Sequence, residues 1–191
     1  MKNLKISVLM TIVTTIILGI IYPLAVTGLA QIFFHDQANG QLIQRGNDVI
    51  GSRIIGQPFT SDRYFHSRPS TAGNGYDAAN SAGSNLGPTN QKLIERIKAD
   101  AATFQAENPN VPVPVDLVTT SASGLDPDIT PAAAYFQVPH IARARGITEE
   151  QVRALVTEHI RNRQFKFLGE PRVNVLELNL SLDDQKATEK R

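Results

Sequence analysis

Apolar and polar positions follow two regimes along the chain. Ile6 to Phe34 are 29 consecutive residues without a charge, and no second run of that kind occurs. As a helix rising about 1.5 Å per residue, this run reaches roughly 43 Å, more than the roughly 30 Å hydrocarbon core of a bilayer requires. It therefore reads as one transmembrane helix. A cleavable leader would carry an apolar stretch of about 7 to 15 residues, about half of what is present, so a retained anchor is the better reading. Within the run, Thr11, Thr15, Gly19, Pro23 and Thr27 recur every fourth residue and form a slanted ridge of mostly small side chains. Such a ridge lets another helix approach closely, and Pro23 predicts a kink beside it.

Beyond Phe34 the pattern becomes that of a folded domain. Gln41 to Gln44 and Val49 to Gln57 read as strands around a turn at Arg45, Gly46, Asn47 and Asp48. Residues 58–88 are rich in Gly, Ser, Asn and Pro with little periodicity. The Tyr64, Phe65, His66, Arg68 and Tyr76 they contain predict an ordered loop. Thr89 or Asn90 caps a helix whose Leu93, Ile94, Ile97, Ala101 and Phe104 share a face, ending before Pro109. Val115 to Val118 reads as a short strand. Thr130 before Pro131 opens a further helix, which Pro139 is expected to kink or restart. Thr148 and Gln151 form a capping box before Val152, Leu155, Val156 and His159. Leu176, Leu178, Leu180 and Leu182 alternate with Glu177, Asn179 and Ser181, which predicts a half-buried strand with a bulge near Val175. The charged tail from Asp183 to Arg191 is expected to fray.

These elements define an α+β chain: a single N-terminal transmembrane helix and, after it, one soluble domain of helices packed on a small mixed sheet. The boundaries are 1–5 for the N-terminus, 6–34 for the helix, 35–182 for the domain and 183–191 for the tail.

Charge sets direction. Lys2, Lys5 and the amino terminus precede the span, against only Arg45 in the fifteen residues after it. The positive-inside rule then places the N-terminus in the cytoplasm and the domain outside it. The residues after Phe34 hold 17 basic and 18 acidic side chains, a net of 17 − 18 = −1, which excludes a nucleic-acid footprint. Residues 99–142 contain five acids and no Lys or Arg, whereas 140–172 carry seven basic against four acidic residues.

Catalytic motifs are absent from the sequence: no phosphate loop of the form G-x-x-x-x-G-K-[ST], no H-E-x-x-H helix, no cysteine and no G-x-S-x-G elbow. His35, His66, His140 and His159 have no metal-ligand spacing. Ser121, Ser123 and Gly124 could offer hydroxyls and backbone N–H groups to an anion, although Asp126 and Asp128 would repel a phosphate. The same segment reads equally as a turn leading to the Thr130 cap. Arg68 could pair with a carboxylate or tether its loop.

The order of the tracts carries a more specific signal. After the basic terminus and apolar helix come Tyr64-Phe65-His66-Ser67-Arg68-Pro69-Ser70 and Gly83-Ser84-Asn85-Leu86-Gly87-Pro88-Thr89-Asn90. Next are Val113-Pro114-Val115-Asp116-Leu117-Val118-Thr119, Ser121-Ala122-Ser123-Gly124-Leu125-Asp126-Pro127, Thr130-Pro131-Ala132-Ala133 and Leu168-Gly169-Glu170-Pro171-Arg172-Val173-Asn174-Val175-Leu176-Glu177-Leu178-Asn179. Along nearly its whole length the chain resembles the C subunit of the Kdp-type bacterial potassium-transporting ATPase. The resemblance implies a non-catalytic accessory subunit of an ATP-driven potassium importer in the inner membrane, partnered by a potassium-binding channel-like subunit and a P-type ATPase subunit. The chain has no D-K-T-G-T phosphorylation motif of its own. The resemblance also implies a chaperone-like role in raising the ATPase subunit's affinity for ATP. It compares Ser121, Ser123 and Gly124 with a signature-type nucleotide loop, here lacking the Gln expected next. An extracytoplasmic domain conflicts with direct contact to cytosolic ATP. Within the resemblance, an outer domain would instead stabilise the assembly, or cover an outer potassium entrance with Asp116, Asp126 and Asp128, with no firmly bound cofactor and no metal site expected. Two other readings stay open on sequence alone, an anchored extracytoplasmic hydrolase using His66 with one of the chain's aspartates and a free-standing binding module.

Overall fold

The computed structural model describes residues 1–188. The chain divides into two compact units, Met1–Leu42 and Ile43–Arg191. In the first, α1 (Lys2–Ile16) and α2 (Tyr22–Phe33) join through a π-helical turn at Ile17–Ile21 into one 32-residue apolar helix, Lys2–Phe33. The short α3 (His35–Ala38) comes next. Proline explains the π turn: Pro23 brings no N–H, and its ring crowds the carbonyl of Gly19 four residues back. A local widening keeps the helix running past that defect. A π turn winds more residues per turn than an α-helix, so the four-residue spacing of Thr15, Gly19 and Pro23 falls closer to one full turn. That stretch of the ridge therefore runs more nearly along the axis. All five ridge residues are exposed, and the Thr11 hydroxyl donates to the Ser7 carbonyl within the helix at 2.9 Å.

The second unit is built on two small sheets. β1 (Leu42–Arg45) and β2 (Asp48–Ser52) form a hairpin turning at Gly46 and Asn47. β3 (Asp128–Ile129), β4 (Ile160–Arg161) and β5 (Arg172–Asn174) form a sheet in the order β3-β5-β4. Ile129 and Ile160 both pair with Val173, and this sheet is antiparallel throughout rather than mixed. Helices α4 (Gln91–Glu107), α5 (Pro131–Arg145), α6 (Glu149–Glu158) and α7 (Val175–Thr188) complete the unit. Phe136, Val138 and Ile141 of α5, Val152, Leu155 and Val156 of α6, and Val175, Leu178 and Leu182 of α7 enclose one core with Ile129, Val173 and Phe65.

Several starts match their sequence signals. Asn90 caps α4 by accepting from the Lys92 N–H at 2.9 Å, Thr130 caps α5, and Thr148 with Gln151 forms the reciprocal capping box of α6. Other elements differ, beginning with β2, which ends at Ser52 rather than at the expected Gln57. The expected strand at Val115–Val118 is a 3-10 turn, Val115–Leu117, because the carboxylate of Asp116 turns inward to accept the Thr130 N–H at 2.6 Å. Pro139 does not restart α5, since buried side chains on both sides of it, from Phe136 to Ala142, hold one continuous helix. The expected strand from Leu176 to Leu182, with its bulge near Val175, is α7. Of its buried positions, Val175, Leu178, Asn179 and Leu182 follow the helical spacing i, i+3, i+4, i+7, with Leu176 buried beside them. The Asn174 side chain starts the helix by accepting the Glu177 N–H at 3.1 Å. Helix also covers residues 183–188 of the expected frayed tail, whereas 189–191 lie outside the described residues.

The long loop of 58–88 is anchored by two buried amides. Asn179 accepts from the Phe65 N–H at 2.8 Å and donates to its carbonyl at 3.0 Å. Gln137 accepts from the His66 N–H at 2.7 Å and donates to its carbonyl at 3.2 Å. Replacing Asn179 by Leu leaves two buried backbone groups of Phe65 without partners. The expected loss in unfolding free energy is roughly 2 to 6 kcal/mol, at about 1 to 3 kcal/mol per orphaned group. Urea unfolding monitored by circular dichroism measures it, and an unchanged midpoint would refute the anchoring role.

Candidate functional site

The loop that leaves the core at His66 runs directly onto the Ser/Gly segment. Arg68 donates from Nε to the Thr119 carbonyl at 3.3 Å and from Nη1 to the Asp126 carboxylate at 3.2 Å, so it both pairs and tethers. Ser70 donates its hydroxyl to the Gly124 carbonyl at 2.6 Å, and Ser81 donates to the Ser123 carbonyl at 2.9 Å. The Tyr76 hydroxyl closes the loop on itself through the Arg68 carbonyl at 2.6 Å.

Ser121, Ser123 and Gly124 are brought together, but their polar groups serve the protein. The Gly124 N–H donates to the Ser121 carbonyl, and the Ser123 hydroxyl accepts from the Leu125 N–H at 3.1 Å. Gly124 has φ +68°, and a β-carbon there would lie 2.6 Å from the Ala82 carbonyl oxygen and 2.7 Å from the Ala72 nitrogen. Only glycine combines that conformation with that approach. The donor set fits a tether for residues 68–83 better than a phosphate cradle.

Asp116, Asp126 and Asp128 line one open cleft of about 220 Å³, together with Arg68, Thr130, Glu170 and Arg172. Asp126 Oδ1 accepts the Asp128 N–H at 3.0 Å, as expected of a turn leading into the Thr130 cap. Asp128 pairs with Arg172 at 2.9 Å and accepts from Asn174 at 3.2 Å. Burial raises the Asp128 carboxyl above its ordinary range, against the opposing pull of Asn174 and Arg172. The four acids and two arginines of the lining give 2 − 4 = −2, a negative field already partly neutralised. Among the described residues no group of three or more acids or histidines has metal-binding geometry.

A second, more enclosed cavity of about 190 Å³ lies between Asp62, His66, Phe104, Glu107, Gln137 and His140. His140 stands 3.9 Å from Asp62 and 3.8 Å from Glu107. Burial, reinforced by His140, lowers the His66 pKa. Asp116, Asp126 and Asp128 line the cleft, apart from the histidines, whereas His66 shares its cavity with Asp62 and Glu107. Sequence reading missed Glu170 and Arg172 in the cleft and the His66–His140 cavity. Arg172 reaches the cleft because its strand, β5, pairs with that of Asp128, and the cavity likewise arises only from tertiary packing.

Gly124→Ala is expected to lower stability by at least about 2 kcal/mol, from the left-handed backbone and the backbone clashes together. The double change Ser121→Ala/Ser123→Ala is expected to lose roughly 1 kcal/mol. Thermal unfolding of the full chain distinguishes the two. Equal effects would refute the tether.

Known proteins match the chain over nearly its whole length. Residues 4–184 match the family model KdpC, described as K+-transporting ATPase, c chain. A potassium-transporting ATPase KdpC subunit of Koribacter versatilis is 65% identical over 182 residues, covering 95% of this chain and 94% of that protein. Those of Acidobacterium capsulatum and Rhodopseudomonas palustris strain BisB18 are 58% and 54% identical, covering 96% and 97% of this chain and 98% and 100% of theirs. With the family model spanning both the apolar helix and the soluble unit, the chain belongs to the KdpC family, the c chain of the K+-transporting ATPase.

Proposed function

We propose that the chain is a non-catalytic accessory subunit of an ATP-driven potassium importer, anchored in the bacterial inner membrane with its N-terminus in the cytoplasm and its soluble unit outside. The observation that carries the reading is family membership over almost the whole chain, joined to one apolar helix none of whose residues is buried by the chain itself. Partners of this reading are a channel-like potassium-binding subunit and a P-type ATPase subunit. The exposed ridge of Thr11, Thr15, Gly19, Pro23 and Thr27 is suited to pack against one of them. The proposal assigns any influence on the ATP affinity of the ATPase subunit to the assembly, and assigns Ser121, Ser123 and Gly124 to holding the 68–83 loop rather than a nucleotide.

The cleft of Asp116, Asp126 and Asp128 supports a second role within the same reading. A net negative recess in a domain outside the membrane raises the local concentration of cations near an entrance. Buried Asp116 and half-buried Asp128 hold the fold, whereas Asp126 and Glu170 are more accessible contributors.

Wild-type chain, tagged and extracted in mild detergent, is expected to bring down two larger membrane subunits, and Gly19→Leu to reduce their recovery by roughly tenfold, since a bulky side chain blocks close helix approach. Recovery of the chain alone from wild-type membranes would overturn the reading. Asp126→Asn/Glu170→Gln is expected to weaken apparent potassium affinity by a factor of roughly two to five at low ionic strength. The difference should shrink when an untransported salt is raised above about 0.15 M. Uptake assays in cells measure both, and an unchanged affinity at low salt would remove the cleft from the proposal.

A further inference from the structure

The connection between β4 and β5 ends in a tight tip. Gln164 and Leu168 exchange two backbone hydrogen bonds of 2.9 Å each, which close a three-residue turn of Phe165, Lys166 and Phe167. Phe165 and Lys166 have φ of +50° and +71°, left-handed values that bulky residues rarely adopt. Phe165 is 79% and Phe167 71% exposed, beside a half-exposed Leu168. Arg163 and Glu170 form an ion pair across the base of the turn, and Arg161 pairs with Glu177.

These features oppose one another unless something covers the tip. Each left-handed residue costs about 1 to 2 kcal/mol, and each phenyl ring left in water forgoes roughly 1.5 to 3 kcal/mol of burial. A turn with no partner would be better served by Asn and Gly with polar neighbours. Here the strained backbone instead fixes two aromatic rings outward, which reduces the ordering cost of an encounter. Aromatic residues with adjacent arginines are the composition of interface hot spots.

We propose that residues 164–168 are a preformed docking tip, and that Phe165 and Phe167 insert into an apolar pocket with an acidic rim on a neighbouring subunit of the same assembly. The inference rests on the accessory-subunit reading and names a contact within it. Charge selects protein over lipid as the occupant. Arg161 and Arg163 are already paired, so Lys166 is the tip's one cation outside an ion pair among the described residues. A single lysine contributes only about 1 kcal/mol at an anionic bilayer, whereas one acidic group at a pocket rim answers it fully. The two rings offer on the order of 300 to 500 Å², less than the roughly 800 Å² per partner of a standard interface. The tip is thus the centre of a larger contact.

A photoreactive benzoylphenylalanine at position 167 of the full-length chain, irradiated in membranes that contain the complete complex, is expected to give a covalent adduct with one larger subunit. The same probe at Leu18, in the membrane helix, serves as the control. Adducts with lipid only, adducts with a second copy of this chain, or none at 167 while the Leu18 probe reacts with a partner would each overturn the docking tip and leave the accessory reading standing. Failure of the wild-type chain to co-purify with any larger subunit would overturn that reading as well. Independently, Phe165→Asp/Phe167→Asp is expected to reduce retention of the larger subunit by roughly tenfold or more. Its unfolding midpoint should match wild type, because neither ring is in the core. Unchanged retention with an intact fold would refute the proposal.

Discussion

Two amide side chains carry the architecture of the soluble unit. Phe65 and His66 lie in a segment with no regular structure, yet Phe65 is fully buried. A backbone stretch can enter a core only if its N–H and carbonyl groups find partners there. Asn179 of α7 supplies both partners for Phe65, and Gln137 of α5 supplies both for His66, each acting as a one-residue substitute for a neighbouring strand. The helices must hold a fixed separation for both amides to reach consecutive residues. The clamps therefore tie the helical layer to the loop, and not only the loop to the helices.

The segments beyond His66 depend on that fixed point. Once His66 is held, Arg68 is placed to reach both the Thr119 carbonyl and Asp126, and Ser70 to reach Gly124. Arg145 strengthens the other side of the clamp: it donates to the Arg63 carbonyl at 2.6 Å, pairs with Asp183 and lies 5.0 Å over the Tyr64 ring. The acidic cleft is a product of this arrangement. Its aspartates come from a 3-10 turn, a loop and a strand, and each has a structural bond that fixes its direction: Asp116 to Thr130, Asp126 to Arg68 and Asp128 to Arg172. A field built from such restrained groups does not need to reorganise when a cation approaches, which suits attraction without capture.

Local signals in the sequence were sufficient wherever a helix start decided the element. Asn90, Thr130 and the Thr148–Gln151 pair each act as read, because a cap is a contact within four residues. The α+β class and the single apolar span were legible for the same reason, since each rests on patterns repeated over many residues. The leucine alternation from Leu176 to Leu182 misled because a period of two and a helical period share positions over so short a run. The deciding sign was Asn174 three residues before Glu177, a cap and an acidic third position, together with the buried Asn179 that no strand face required. Cleft and cavity were far less legible. The acids could be named from their excess in one region, but Glu170, Arg172 and the approach of His140 to Glu107 and Asp62 depend on which loops cross, a long-range outcome that spacing does not encode.

Both units of the chain leave apolar surface that the chain itself does not cover. In the first it is the whole 32-residue helix, whose lipid and protein contacts must come from outside. Its π turn accommodates Pro23 at the cost of regular hydrogen bonding, and that proline sits on the small-residue ridge. In the second unit it is the Phe165–Phe167 tip, again with local strain maintained beside exposed apolar groups. Isolated folding gives no reason for either defect, since a regular helix and a polar turn would each be more stable alone. The coincidence of strain with uncovered apolar surface in both units is the pattern expected of the proposed subunit, whose neighbours would supply the free energy missing from the separate chain.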